Sequence, residues 1–230
     1  MVRPQTGEIL AMASYPTYNP NQPATATSNN GAGKNRAIMD QFEPGSTFKI
    51  VSISSALSEG TSRLNDIIHC NHGRYSNGRW RLSDDHGYGN LSVMEVFAKS
   101  SNIGTYKIIR KVGQERFFQY IKGFGFGQKT GVQLPGELAG KVHHVDDWRD
   151  VTMSRVAIGY TISVTPLQIT MAMAAIANGG RLMQPMIIDR IEYPDGKVMS
   201  HYDPHMVHQV MTNESTRDII KAMTQVVGNK

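Results

Sequence analysis

The stretch Glu43-Pro-Gly-Ser-Thr-Phe-Lys49 decides the reading of this chain. Pro44 and Gly45 stop whatever precedes them, and the apolar run that continues through Ile50-Val-Ser-Ile-Ser-Ser-Ala-Leu57 predicts a buried helix over Ser46–Ser58. Residues three apart lie on one helix face, so the Lys49 ammonium is expected to reach the Ser46 hydroxyl. Ser46 also falls at the helix N-terminus, where free N–H groups and the helix dipole favour negative charge. A serine so placed beside an amine is an activated nucleophile. The same four residues also read as an N-cap serine with a solvated lysine one turn on, so the surroundings carry the choice.

A second polar element follows at Lys99-Ser-Ser-Asn-Ile103, between the amphipathic segments Leu91-Ser-Val-Met-Glu-Val-Phe-Ala98 and Ile103-Gly-Thr-Tyr-Lys-Ile-Ile109. Ser-Ser-Asn between two helices is a tight turn and a helix cap. It also presents a hydroxyl and an amide, Ser100 and Asn102, at the mouth of a cleft.

Ser-x-x-Lys followed by Ser-x-Asn resembles two of the three signature elements of penicillin-binding proteins and serine β-lactamases. The resemblance runs through Thr6-Gly-Glu-Ile-Leu-Ala-Met-Ala-Ser14, Gly125-Phe-Gly-Gln-Lys-Thr-Gly-Val-Gln-Leu-Pro-Gly-Glu137, Ile158-Gly-Tyr-Thr-Ile-Ser-Val-Thr-Pro-Leu-Gln168 and Ala174-Ala-Ile-Ala-Asn-Gly-Gly180, in the family's order. It is nearest to the class B penicillin-binding proteins, the monofunctional transpeptidases of division and elongation, and Phe42-Glu-Pro-Gly-Ser46 with Leu134-Pro-Gly-Glu137 leans to the division type. The resemblance implies an α+β transpeptidase fold, a helical subdomain with an incomplete antiparallel sheet. It implies acyl transfer in which Ser46 is the nucleophile, Lys49 its base, Ser100 a proton relay and Asn102 the group that orients Lys49 and the substrate amide. Lys49 must then be neutral at working pH, by burial beside Asn102 or beside another cation. No metal or organic cofactor is implied. The implied partners are peptidoglycan stem peptides, β-lactam antibiotics and the division or elongation machinery, at the outer face of the bacterial cytoplasmic membrane.

The family's third element, Lys-Thr/Ser-Gly on a strand edging the cleft, follows the Val-Thr-Pro-Leu-Gln helix. Lys129-Thr130-Gly131 precedes that helix and reads as a decoy. Residues 1–230 therefore read as a transpeptidase domain without its anchor, its pedestal and its last sheet strands, and inert towards β-lactams alone. A serine β-lactamase shares both motifs, but no Glu-x-x-Leu-Asn segment lies between Asn102 and Thr165. A non-catalytic β-lactam receptor or a division scaffold would keep the same fold.

Composition fits one sizeable core, with 230 residues of which 40% are hydrophobic. The net charge of +5 is spread without a basic block, which argues against nucleic acid and suits anionic polymer or membrane surfaces. Cys70 has no second cysteine to pair with. His69-Cys70-Asn71-His72 is too crowded for ordinary zinc spacing. No apolar run approaches the ~20 residues of a membrane helix.

Further along the chain, a strand is expected at Glu8–Ser14 and a long loop at Tyr15–Asn35. Helices are expected at Ser92–Lys99, Ile103–Val112, Glu115–Phe124, Thr165–Asn178 and Asn213–Val227. A hairpin is expected over Arg181–Met199, turning at Pro194-Asp-Gly196.

Overall fold

The computed structural model describes residues 1–28 and 31–228. The described helices are α1 (Thr25–Ser28), α2 (Arg36–Met39), α3 (Lys49–Ser58), α4 (Val93–Ala98), α5 (Asn102–Val112), α6 (Gln114–Gly123), α7 (Asp150–Val156), α8 (Pro166–Ala177) and α9 (Asn213–Gly228). The strands are β1 (Ile67–His69), β2 (Arg74–Ser76), β3 (Arg81–Ser83), β4 (Asn90–Ser92), β5 (Arg181–Met183), β6 (Arg190–Glu192), β7 (Val198–His201) and β8 (Met206–Gln209). They pair as antiparallel ribbons, β1 with β4, β2 with β3, β5 with β8 and β6 with β7. The architecture is α+β.

Helix α3 is the axis of the molecule. Every residue from Lys49 to Leu57 is buried, because the helix is enclosed by α5, α6 and α9. A helix enclosed all round can be apolar all round, which is why the run after Lys49 has no polar face of charged residues. Val51 and Ile53 are fully buried, each contributing roughly 1.5–3 kcal/mol. The helix does not begin at Ser46. Gly45–Phe48 form a 3₁₀ turn that continues into α3 at Lys49.

The expected helix ends are set by caps. Ser92 and Glu95 form a capping box at the head of α4, and Thr165 and Gln168 form another at the head of α8, with Pro166 in its first turn. Thr212 accepts from the Ser215 N–H at 3.1 Å and caps α9. Between α4 and α5 the middle serine of the turn, Ser101, is the cap, accepting from the Gly104 N–H at 2.9 Å. Its neighbours Ser100 and Asn102 are thereby left free to face Lys49.

Further expectations are corrected. Glu8–Ser14 is not a strand: a ladder needs a partner along its length, and the segment has bridges only at Glu8 to Met186 and Ile9 to Val2. The hairpin over Arg181–Met199 is split. Pro185 lacks the N–H a ladder requires, so β5 ends at Met183 and pairs instead with β8. The turn at Pro194–Gly196 closes β6 onto β7, with the Tyr193 N–H donating to Lys197 O at 2.8 Å. The expected loop at Tyr15–Asn35 is interrupted by the single turn of α1, and its residues 29 and 30 lie outside the described ones.

Candidate active site

The two motifs meet. Ser46 stands exposed in the 3₁₀ turn and Lys49 lies buried, 1% exposed, at the head of α3. The turn between α4 and α5 comes down on both. Lys49 Nζ donates to Ser100 O at 2.5 Å, to Ser100 Oγ at 2.9 Å and to Asn102 Oδ1 at 2.7 Å. Three ammonium N–H groups thus meet three acceptors, which is what allows a lysine to be buried at all. The Ser100 hydroxyl donates in turn to Ser46 Oγ at 3.1 Å.

This differs in one respect from the expected geometry. Among the described residues no hydrogen bond joins Lys49 directly to Ser46. The connection runs through Ser100, whose hydroxyl accepts from Lys49 and donates to Ser46. The alternative of a solvated lysine is also excluded by its burial.

Burial is the chief influence on Lys49 and holds its pKa at about 8, against an ordinary 10.5. Of the two causes expected, burial beside Asn102 or another cation, burial is the one that acts. The charges that act are those of Asp84 and Asp85, which oppose the effect of burial by favouring the ammonium.

Asp84 is the residue that sequence reasoning missed. Its Oδ1 accepts from the backbone N–H groups of Asn102, at 2.5 Å, and Ile103, at 3.0 Å, and its Oδ2 from Ser101 Oγ at 2.7 Å. A carboxylate at the first turn of α5 satisfies donors that the helix cannot. It thereby fixes the segment that carries Ser100 and Asn102. Ser100 itself has φ +55°, an uncommon conformation for a side-chain-bearing residue, and it is held by Lys49 on its own O and Oγ and by Asp84 through the residues that follow it.

The turn that carries Ser46 is fixed from the opposite side by the segment after α7. The Gly45 N–H donates to Gly159 O at 2.9 Å, Glu43 accepts from the Thr161 N–H at 2.8 Å, and Ser52 Oγ donates to Ala157 O at 2.7 Å. Gly159 has φ +80°, and a Cβ there would lie 2.2 Å from Gly45 O. The backbones touch, so only glycine fits.

Lys129-Thr130-Gly131 forms part of a buttress elsewhere. Thr130 N–H and Oγ1 both donate to Glu137 Oε1, at 2.6 Å and 2.5 Å, the Gly131 N–H donates to Glu137 Oε2 at 3.2 Å, and Gln184 donates to Gly131 O at 2.8 Å. The triplet lies on no strand, and among the described residues its hydrogen-bond partners include none of Ser46, Lys49, Ser100 or Asn102.

A cleft of about 720 Å³ adjoins the cluster and touches it through Asn102, whose Nδ2 donates to Ser83 O at 2.9 Å.

Comparison with known proteins agrees with this geometry. The family model for the penicillin binding protein transpeptidase domain matches residues 1–230. The chain is 36% identical to the penicillin-binding protein PbpB of Mycobacterium tuberculosis, over 96% of this chain and 33% of that protein. It is 34% identical to the peptidoglycan D,D-transpeptidase FtsI of Escherichia coli, over 84% of this chain and 32% of that protein. Penicillin-binding protein 3 of M. tuberculosis, solved in complex with ampicillin, superposes with a TM-score of 0.91 at 34% identity, covering 98% of this chain and 50% of that one. The chain thus spans about a third of these curated relatives. With both motifs assembled and the family model matched from end to end, the chain belongs to the penicillin-binding protein transpeptidase domain family.

Proposed function

We propose that the protein is a peptidoglycan D,D-transpeptidase in which these residues supply the acylating half of the site. The observation that supports this is the chain Ser46–Ser100–Lys49 ending on a buried amine with a pKa of about 8. At pH 7.5 such an amine is neutral in about a quarter of molecules, whereas an ordinary lysine is neutral in about one in a thousand.

Neutral Lys49 accepts the Ser100 hydroxyl proton while Ser100 accepts that of Ser46, so both hydroxyls reverse the direction in which they donate in the ammonium form. Ser46 Oγ then attacks the carbonyl carbon of the penultimate D-alanine of a stem peptide. The developing oxyanion meets the Ser46 backbone N–H, which has no acceptor within its own 3₁₀ turn. The C–N bond breaks, the terminal D-alanine leaves with the proton returned through Ser100, and an ester to Ser46 remains. An amine of a second stem attacks that ester, forms the crosslink and restores the Ser46 hydroxyl. Asn102, bonded to both Lys49 and Ser83, is held to receive the substrate amide. A β-lactam enters by the same attack and leaves a slow acyl-enzyme.

The reading assigns the family's Lys-Thr/Ser-Gly element to sequence outside these 230 residues, since Thr130 and Gly131 are already engaged by Glu137. It also carries the extracytoplasmic location and the division or elongation machinery as partner. Intact-mass analysis and peptide mapping of the full-length protein after penicillin treatment are expected to find the adduct on Ser46 and none in Ser46→Ala. Lys49→Arg keeps the charge but supplies no neutral amine, and acylation is expected to slow by on the order of a thousandfold. An adduct that survives Ser46→Ala, or near-normal acylation by Lys49→Arg, refutes the reading.

A further inference from the structure

The cleft beside Asn102 has a property that acylation does not call for. Three arginines line it, Arg74, Arg81 and Arg155, together with Tyr75, Tyr160 and Asn102. Among the described residues that line it none is acidic. Nor does any of the three guanidinium groups have a hydrogen bond or ion pair within the described residues. This contrasts with Arg3, Arg36, Arg116 and Arg190 elsewhere on the surface, each of which is paired with a carboxylate.

The arginines are brought together by the fold. Strands β2 and β3 pair with Arg74 opposite Ser83 and Ser76 opposite Arg81. Side chains two apart on a strand share a face, so Arg74 and Arg81 project from the same side of the ribbon, diagonal to one another. The intervening pair, Tyr75 and Leu82, alternates to the other face of the ribbon and also lines the cleft, with Leu82 buried against the small core around Tyr106 and Ile158. Arg155 arrives from the end of α7, just before the segment whose backbone fixes the turn that carries Ser46. The ribbon is itself tied to the site, since Ser83 O accepts from Asn102 Nδ2. Three unpaired, fork-shaped cations around one concave space are the arrangement that binds a carboxylate by paired charge-assisted hydrogen bonds.

We propose that this cleft binds a side-chain carboxylate of the peptide that acylates Ser46, so that Arg74, Arg81 and Arg155 select anionic over neutral stem peptides. This rests on the transpeptidase reading for the identity of the peptide. The carboxylate preference itself does not depend on acylation.

The test uses the full-length protein and two dye-labelled peptides, N-acetyl-Glu-Lys-D-Ala-D-Ala and its Gln counterpart, with affinity read by fluorescence anisotropy at low salt. The Glu peptide is expected to bind about tenfold more tightly, and added salt to narrow the gap. In the triple variant Arg74→Gln/Arg81→Gln/Arg155→Gln the two affinities are expected to converge to within about twofold. The corresponding triple lysine variant, which keeps the charge and loses the fork, is expected to retain part of the preference. Circular dichroism checks that each variant is folded, and an unfolded glutamine variant is replaced by the three single ones. Equal binding of the two peptides by wild type, absence of binding by either, or a preference that survives all three glutamines overturns the proposal. So does tight binding of inorganic phosphate without discrimination between the peptides, which would assign the arginines to a phosphate. Fluorescent-penicillin labelling of Ser46 is followed in parallel. Discrimination without labelling keeps the cleft and refutes the transpeptidase reading, and labelling without discrimination does the reverse.

Discussion

Burying Lys49 costs stability in a way that depends on pH, and the dependence can be measured. The pKa of about 8 in the folded protein lies below the ordinary 10.5, so the unfolded chain binds the extra proton more readily. The penalty is therefore absent above pH 10.5, grows as pH falls from 10.5 towards 8, and is complete below about 8. At 1.36 kcal/mol per pH unit the full penalty is about 3 kcal/mol. Between pH 7 and pH 9.5 about 2 kcal/mol of it is relieved. Lys49→Met fills the same space with no titrating group. It leaves Ser100 O, Ser100 Oγ and Asn102 Oδ1 without their donor, at a cost that does not change over this range. The comparison is chemical unfolding of the transpeptidase domain, wild type and Lys49→Met, at both pH values. Wild type is expected to gain about 2 kcal/mol on the variant as pH rises, whatever their order at pH 7. Lysines and tyrosines elsewhere titrate alike in both proteins and cancel. A difference that stays constant with pH, or that moves the other way, would mean Lys49 is not held near neutrality, and the proposed base would lose its physical basis.

Three further outcomes follow from the supports of the site. Asp84→Ala strips the first turn of α5 of its acceptor and should cost about 2 kcal/mol in unfolding experiments while slowing β-lactam acylation of the full-length protein, because Ser100 and Asn102 are no longer fixed; unchanged acylation would make Asp84 merely a cap. Gly159→Ala forces a Cβ to within 2.2 Å of Gly45 O at a positive φ, and should destabilise the domain by about 1–3 kcal/mol and reduce acylation by displacing Ser46, as measured by unfolding and labelling together. Lys129→Ala should label with fluorescent penicillin as wild type does, and a loss of labelling would return the Lys129-Thr130-Gly131 triplet to the catalytic site.

How much of this was legible in the sequence follows from where each interaction is local. Ser46 and Lys49 were readable because the chemistry requires those two residue types within one turn, and Pro44-Gly45 marks where that turn begins. Ser100 and Asn102 were readable because Ser-x-Asn after Ser-x-x-Lys resembles the family's second signature element, whereas the cap that a turn between two amphipathic segments needs is supplied by Ser101, not by the serine that faces Lys49. Asp84 was not readable: it reaches α5 across a loop, and no periodicity links a carboxylate to N–H groups that far along the chain. The ribbon of β2 and β3 escaped for a different reason. Each strand has three residues, too few to display an alternation, and Arg74-Tyr-Ser76 and Arg81-Leu-Ser83 look like solvated loop until they are paired. Gly159 lies between these cases. Its place in Ile158-Gly-Tyr160 resembled the family's framework, but that a second backbone presses on it at Gly45 is visible only in the fold. On the proposed reading the reacting atoms are thus set by short-range sequence, while their spacing is set by two long-range contacts, Asp84 on one side and Gly159 on the other. Substitutions at those two positions should alter the rate of acylation without touching any group that reacts.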